Sequence, residues 1–248
     1  MGKNKLKKFN EMKGFRCVVE APCYNPQAED HSLKGKWNKE FFKAQAGRPL
    51  VVELGCGKGE YTVGMAKANT GANFLGVDIK GARIYTGAKT VETEGIQNAG
   101  FLRTQVEALP GFFAPGEVSE IWITFPDPQL KKTNKRLTST RFLGYYRKFM
   151  SADGIVNLKT DSPFLFEYTR RLVELNGLEI IDITDDLYGR PGDCMEKQIK
   201  TFYEQQWLSR GKTIKLLKFR LGDGDLKEPD VDDLEPDDYR AAARFNRQ

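Results

Sequence analysis

From Leu50 onward, short apolar runs alternate with longer stretches in which apolar residues recur every three or four positions. The runs at 50–54, 73–77, 99–104, 120–125 and 154–160 have strand length. The stretches at 60–68, 81–94, 142–149 and 163–175 have helical spacing. Two more strands are expected at 178–183 and 213–219, the latter at an edge or in a hairpin. Residues 1–49 read as an irregular lead-in, with turns at Ala21-Pro22 and Asn25-Pro26 and a helix candidate from Trp37 to Ala44. No internal repeat interrupts this order. The aromatic-rich stretch 142–149 reads as core rather than as a stacking platform.

Strands that alternate with helices in this way predict an α/β fold. The expectation is a Rossmann-like, doubly wound, largely parallel sheet with an antiparallel edge strand. Ligands of such sheets bind outside the carboxyl ends of the strands. Glu53, Asp78, Gln105, Asp127 and Asp161 each end or follow a predicted strand, so all five are expected to face one crevice.

The stretch from Leu50 to Gly59 is a strand, a carboxylate (Glu53) and then glycine at every second position, Gly55, Gly57 and Gly59. Glycine permits φ > 0 and lets a ligand lie against the main chain. The dinucleotide fingerprint G-x-G-x-x-G fails because Glu60 fills its third slot, and the P-loop fails because a glycine follows Lys58. Asp78 ends the next strand about twenty residues after the last glycine, where an acid accepts hydrogen bonds from ribose hydroxyls. A carboxylate directly before the glycines suits a cationic ligand better than a pyrophosphate. S-adenosylmethionine carries a sulfonium and an ammonium, so the segment is read as a site for that cofactor. A glycine-rich turn without a ligand is the alternative.

Composition narrows the classes. The 248 residues are 40% hydrophobic with a mean hydropathy of −0.54, enough for one α/β domain with extensions. No apolar run approaches the ~20 residues of a membrane span. The basic start lacks the apolar stretch of a secretory signal. A cytoplasmic protein without membrane contact is expected, and a monomer, since no apolar stripe suggests an interface. The four cysteines lack C-x-x-C spacing and His31 is the single histidine. Neither a metal site, a disulfide framework nor histidine-based catalysis is therefore expected. His31 itself reads as a solvated loop residue.

The net charge of +5 is unevenly spread. Lys3, Lys5, Lys7, Lys8, Lys13 and Arg16 crowd the start, and Lys131, Lys132, Lys135, Arg136 and Arg141 form a second group. The acidic end, from Asp223 to Asp238, is expected to be loosely packed. Clustered cations around a crevice suit a polyanion whose binding weakens with salt, although each cluster also fits a solvated surface.

Phe125-Pro126-Asp127-Pro128 sits at the end of the Ile121–Thr124 strand. Two prolines hold the backbone extended and remove two N–H donors, stiffening the loop around one carboxylate. The alternative is a proline turn capped by Asp127. Asp161, before a helix starting at Ser162 or Pro163, reads equally as a ligand contact and as the helix N-cap. Thr201 and Glu204 read by themselves as an ordinary capped turn.

In these stretches, in this order, the chain resembles the bacterial tRNA (guanine-N7)-methyltransferase family over roughly residues 40–221. The carrying segments are Glu53 to Glu60, Pro115-Gly116-Glu117-Val118, Phe125-Pro126-Asp127-Pro128 and Lys131-Lys132 with Lys135-Arg136-Leu137-Thr138. Lys159-Thr160-Asp161, Leu165-Phe166-Glu167-Tyr168 and Thr201-Phe202-Tyr203-Glu204 follow. The resemblance implies methyl transfer from S-adenosylmethionine to N7 of a guanine in the tRNA variable loop. It implies cofactor contacts at Glu53, Gly55, Gly57, Asp78, Gln105 and Asp127, with Asp127 catalytic. It implies substrate contacts at Lys131, Asp161, Thr201, Phe202, Tyr203 and Glu204. With the order of elements and the spread of charge, the chain is read as a basic N-terminal extension (1–49), a methyltransferase catalytic domain (50–221) and an acidic, flexible tail (222–248). Two positions depart from the family: Gln105 replaces a frequent acid, and Gln129 replaces a common tryptophan after Pro-Asp-Pro. A methyltransferase for another nucleobase atom and a catalytically silent RNA-binding module are the competing readings.

Overall fold

The structure, a computed structural model, describes residues 3–25, 29–44 and 47–237. Strand β1 (Val18–Glu20) follows helix α1 (Lys3–Met12); β2 (Leu50–Leu54), α2 (Glu60–Ala68), β3 (Asn73–Val77), α3 (Gly81–Glu94) and β4 (Ala99–Arg103) come next. The second half contains β5 (Val118–Thr124), α4 (Thr140–Tyr146), β6 (Met150–Thr160), α5 (Pro163–Leu175), β7 (Ile180–Thr184), α6 (Met195–Gln198), α7 (Phe202–Ser209) and β8 (Lys215–Arg220). They build one eight-stranded sheet in the order β1-β4-β3-β2-β5-β6-β8-β7. All pairs from β1 to β6 are parallel, and at the far edge β8 runs antiparallel to β6 and β7. The doubly wound sheet read from the alternation is thus the one the chain forms.

The central strands are apolar runs because both of their faces are covered. All five residues of β2 are buried. Leu50, Val52 and Leu54 enter one core with Ile121, Ile123, Leu158 and the α4 residues Phe142 and Tyr146. Val51 points to the opposite core with Phe74, Phe101, Tyr61 and Trp122, as a period of two requires. Strand order reverses between β2 and β5, and that switch point opens a crevice at the carboxyl ends.

Four expectations are corrected. The lead-in is not irregular: α1 lies on α3, where the Glu11 carboxylate accepts from Tyr85 Oη (2.6 Å) and pairs with Lys89, and β1 extends the sheet beside β4. Its run of lysines hid the Phe9 and Met12 face, and three residues are too few to show alternation. The helix expected from Trp37 to Ala44 is a single π-turn, Trp37–Phe41, closed by Phe42 N donating to Trp37 O. The acidic tail is packed as far as Asp237, with Leu226, Val231 and Leu234 against the core. Asp238 and the residues after it lie outside the described residues, as does Pro26 of the turn expected at Asn25-Pro26. His31 is half-buried, stacked on Phe112 at 4.7 Å rather than solvated. Among the described residues no helix is long and apolar enough to cross a membrane.

Candidate functional site

The loop between β2 and α2 is built on Gly55, Gly57 and Gly59, with φ of 70°, 58° and 72°. A side chain at any of them would be strained. At Gly59, which starts α2, a Cβ would also lie 2.5 Å from the Phe101 ring. Asp78 braces this loop from the end of β3. Its Oδ2 accepts from Gly57 N at 3.0 Å and its Oδ1 from Lys80 N at 2.7 Å. The loop therefore exposes main chain to the crevice while its own geometry is fixed from behind.

Glu53 ends up almost sealed, 2% exposed, beneath the loop. Its Oε2 accepts from Thr62 N (2.9 Å) and from Thr62 Oγ1, and its Oε1 accepts from Thr124 Oγ1 (2.6 Å). Burial pushes its carboxyl up to about 7, against the downward pull of the Thr124 and Thr62 hydrogen bonds. Thr62 and Thr124 were not singled out from the sequence. Nothing about an isolated threonine marks it as a carboxylate partner on another element.

The Pro-Asp-Pro loop leaves β5 through Phe125 and ends at Gln129, and both residues have φ near 48°. Neither is glycine, so each carries backbone strain. Phe125 N is tied to Lys159 O at 2.8 Å. Asp127 is exposed, with Oδ1 accepting from Gln129 N at 2.9 Å, so the local turn of the alternative reading is present. Lys131 is exposed beyond it. Arg136, grouped with the surface cations from sequence, is only 2% exposed. Its Nε donates to Pro128 O (3.3 Å) and its Nη2 to Leu130 O (3.0 Å), while Phe164 and Tyr168 stack on the guanidinium. Arg136 clamps the loop.

Thr201 caps α7 in a capping box: Thr201 Oγ1 accepts from Glu204 N, and Glu204 Oε2 accepts from Thr201 N. The ordinary capped turn is thus the start of a helix. Glu204 is fully buried, and its Oε1 pairs with the equally buried Lys159 at 2.7 Å and accepts from Tyr188 Oη at 2.7 Å. Lys159 Nζ also donates to Ile199 O (3.2 Å) and to Glu196 O. Desolvation lowers the lysine's pKa against the upward pull of Glu204. Glu204, expected to contact the substrate, is buried behind these partners. It holds the segment whose Thr201 and Tyr203 reach the crevice, and Lys159, a strand lysine to which the sequence alone assigned no role, is its anchor.

The crevice is walled by Glu53, Gly55, Gly57, Thr124, Thr201 and Tyr203, with Lys58 and Arg83 adding positive charge. Phe202 is exposed, with Lys58 Nζ 4.9 Å over its ring, and its N–H faces the Glu60 carboxylate at 3.3 Å. Gln105 is exposed after β4, where it begins a 3-10 turn. Asp161 is buried at the end of β6, and the N-cap of α5 is its neighbour Ser162, whose Oγ accepts from Leu165 N at 2.9 Å. The five strand-end residues share one end of the sheet, but only Glu53 among them is part of the inner wall. No cluster of three or more candidate metal ligands occurs among the described residues.

Comparison with known proteins bears on this arrangement. A family model described as "Putative methyltransferase" matches residues 47–217. A tRNA (guanine-N(7)-)-methyltransferase of Bacteroides fragilis is 52% identical over 100% of this chain and 97% of its own length. One from Porphyromonas gingivalis is 54% identical over 95% of this chain and 98% of its own. Among solved structures, the 16S rRNA methyltransferase KamB superposes with a TM-score of 0.54 at 16% identity, covering 71% of this chain and 88% of its own, a likeness of fold alone. The chain belongs to the family of bacterial tRNA (guanine-N(7)-)-methyltransferases.

Proposed function

We propose that this protein transfers a methyl group from S-adenosylmethionine to N7 of a guanine in the variable loop of tRNA, acting in the cytoplasm. The observation that carries the reading is a glycine cradle, backed by a buried carboxylate, beside a clamped Pro-Asp-Pro loop at the strand switch point. These residues fit the cofactor: three left-handed glycines leave main chain bare, and Glu53 supplies negative charge where a cation would lie. When bound, S-adenosylmethionine supplies an electrophilic methyl on a sulfonium.

Gly55 and Gly57 would offer backbone to the cofactor, with Asp78 and Gln105 toward its ribose and adenine. The glutamine carbonyl can accept from the adenine amino group where the family often has an acid. Guanine N7 carries a lone pair and no proton, so the transfer needs no general base. Asp127 positions the guanine and stabilises the positive charge that develops on its ring. Asp161 accepts from the guanine N1 or N2 edge. Thr201, Phe202 and Tyr203 border the nucleoside, and much of the acceleration comes from holding the reacting atoms in line.

Glu53 makes the reading sensitive to pH. In the free protein its raised carboxyl favours the folded state at acid pH, and that contribution is lost as pH rises through about 7. A cation beside it favours the carboxylate, so cofactor binding is expected to release a proton below that pH. Affinity should climb through the same value and then level off. Calorimetry in buffers of different ionisation enthalpy checks this; a pH-independent affinity without proton release would remove Glu53 from the role.

Lys131 is expected to hold a phosphate or a base edge. Lys131→Ala should weaken tRNA binding and make the slope of log affinity against log salt shallower by about one unit. An unchanged slope would leave Lys131 as solvated surface. The reading as a whole is tested with labelled S-adenosylmethionine and unmodified tRNA, followed by digestion to nucleosides. Label in 7-methylguanosine supports it, and label in another nucleoside overturns the substrate assignment.

A further inference from the structure

The acidic segment after β8 runs along α5 from its last turn to its first. Asn176 Nδ2 donates to Lys227 O (2.9 Å), and Lys227 N donates to Asn176 Oδ1 (2.6 Å). Asp233 receives Arg171 on both oxygens, at 2.7 and 2.8 Å. Asp237 accepts from Phe164 N (3.0 Å) and from Ser162 Oγ at the start of α5. These contacts tie the strap down along the whole helix.

Glu228 reaches further inward. Its Oε1 accepts from Thr140 N (2.9 Å) and Oγ1 (2.7 Å), and its Oε2 accepts from the buried Tyr168 Oη (2.7 Å). The Tyr168 ring lies 4.4 Å from the Arg136 guanidinium, and Arg136 holds the carbonyls of Pro128 and Leu130. A continuous set of contacts thus leads from the tail to the loop that carries Asp127. That loop contains the two strained residues Phe125 and Gln129, and such backbone persists only where its surroundings over-determine it.

We infer that one residue of the C-terminal strap acts on the catalytic loop: Glu228, with Tyr168, is a positioning residue that fixes Arg136 against the Pro-Asp-Pro loop and so aims Asp127. This rests on the reading of Asp127 given above. In the simpler picture the strap only stabilises the fold, and the two make different kinetic predictions.

The test compares Tyr168→Phe, which deletes one hydroxyl and keeps the ring, with Glu228→Gln, which keeps shape and removes charge. Assays are run far below the unfolding midpoint of each variant. Each is expected to lower kcat about tenfold, the loss of one charge-assisted hydrogen bond, with KM for S-adenosylmethionine and tRNA within about twofold. The double variant should be no slower than the slower single, because both changes break one set of contacts. Asp233→Asn, which loosens the strap away from Tyr168, should keep the full kcat. Wild-type kcat in both Tyr168→Phe and Glu228→Gln with only a lowered midpoint, or strictly additive losses, would overturn the inference. Asp127→Asn measured alongside separates the two claims. If it is inactive while the strap variants are fully active, only the strap inference fails. If it retains full turnover, the reading beneath fails.

Discussion

Replacement of Asp127 by asparagine is expected to cut turnover by about 10²–10³-fold while leaving cofactor and tRNA affinity unchanged. The substitution is a clean probe because the asparagine Oδ1 can still accept from Gln129 N, the bond that shapes the turn. The strained φ values at Phe125 and Gln129 and the Arg136 clamp are untouched, so the loop stays where it is. On the proposed reading, what disappears is one negative charge beside the base as the methyl group arrives and the purine becomes cationic. Single-turnover rates with saturating tRNA and cofactor, paired with equilibrium binding of each, check the separation. Wild-type turnover would sink the role assigned to Asp127, and a loss confined to tRNA affinity would make it a binding residue.

The second large effect concerns stability. Glu204→Ala removes the carboxylate paired with the fully buried Lys159 ammonium, which keeps the carbonyls of Ile199 and Glu196, and deletes one half of the capping box of α7. Breaking a buried ion pair from one side typically costs about 3–5 kcal/mol. For a chain of this size, a loss of that order lowers the unfolding midpoint by roughly 6–20 °C. Changing both partners, Lys159→Met with Glu204→Gln, removes the buried charge and should recover part of the loss. Thermal unfolding followed by circular dichroism measures both. A drop of about 1 °C in Glu204→Ala would mean that the carbonyls of Ile199 and Glu196, with water, suffice to hold the ammonium. Any variant that folds should also show weaker tRNA binding, since Thr201 and Tyr203 border the crevice on the segment that Glu204 holds.

These two cases show where the sequence was transparent and where it was opaque. The strands from 50 to 160 could be read because burial on both faces makes them near-continuous apolar runs, and the glycine spacing after Glu53 marked the left-handed turn that opens α2. Thr201-x-x-Glu204 carried its capping-box signature openly, yet α7 lacks a clear apolar stripe and was read as a turn. Lys159 and Arg136 were opaque for a different reason. A lysine in a strand and an arginine in a basic run each look solvated until the partners arrive from elsewhere in the chain: Glu204 and the carbonyl of Ile199 for one, and Phe164, Tyr168 and the carbonyls of Pro128 and Leu130 for the other. Such non-local pairing leaves no trace in spacing. The tail misled likewise, because acids that look repulsive in a row meet Arg171, Thr140, Tyr168 and Ser162 one at a time.

The central claim, methylation at N7 of one guanine in the variable loop, is tested most directly with two tRNA substrates that differ by one atom position. One carries guanine at the variable-loop site, and the other carries 7-deazaguanine there, which has carbon in place of N7. With labelled S-adenosylmethionine, the first is expected to take up one methyl group per molecule, recovered as 7-methylguanosine, and the second none while still binding. Equal labelling of both substrates would contradict the account, because the methyl group would then be going to another atom or another nucleotide.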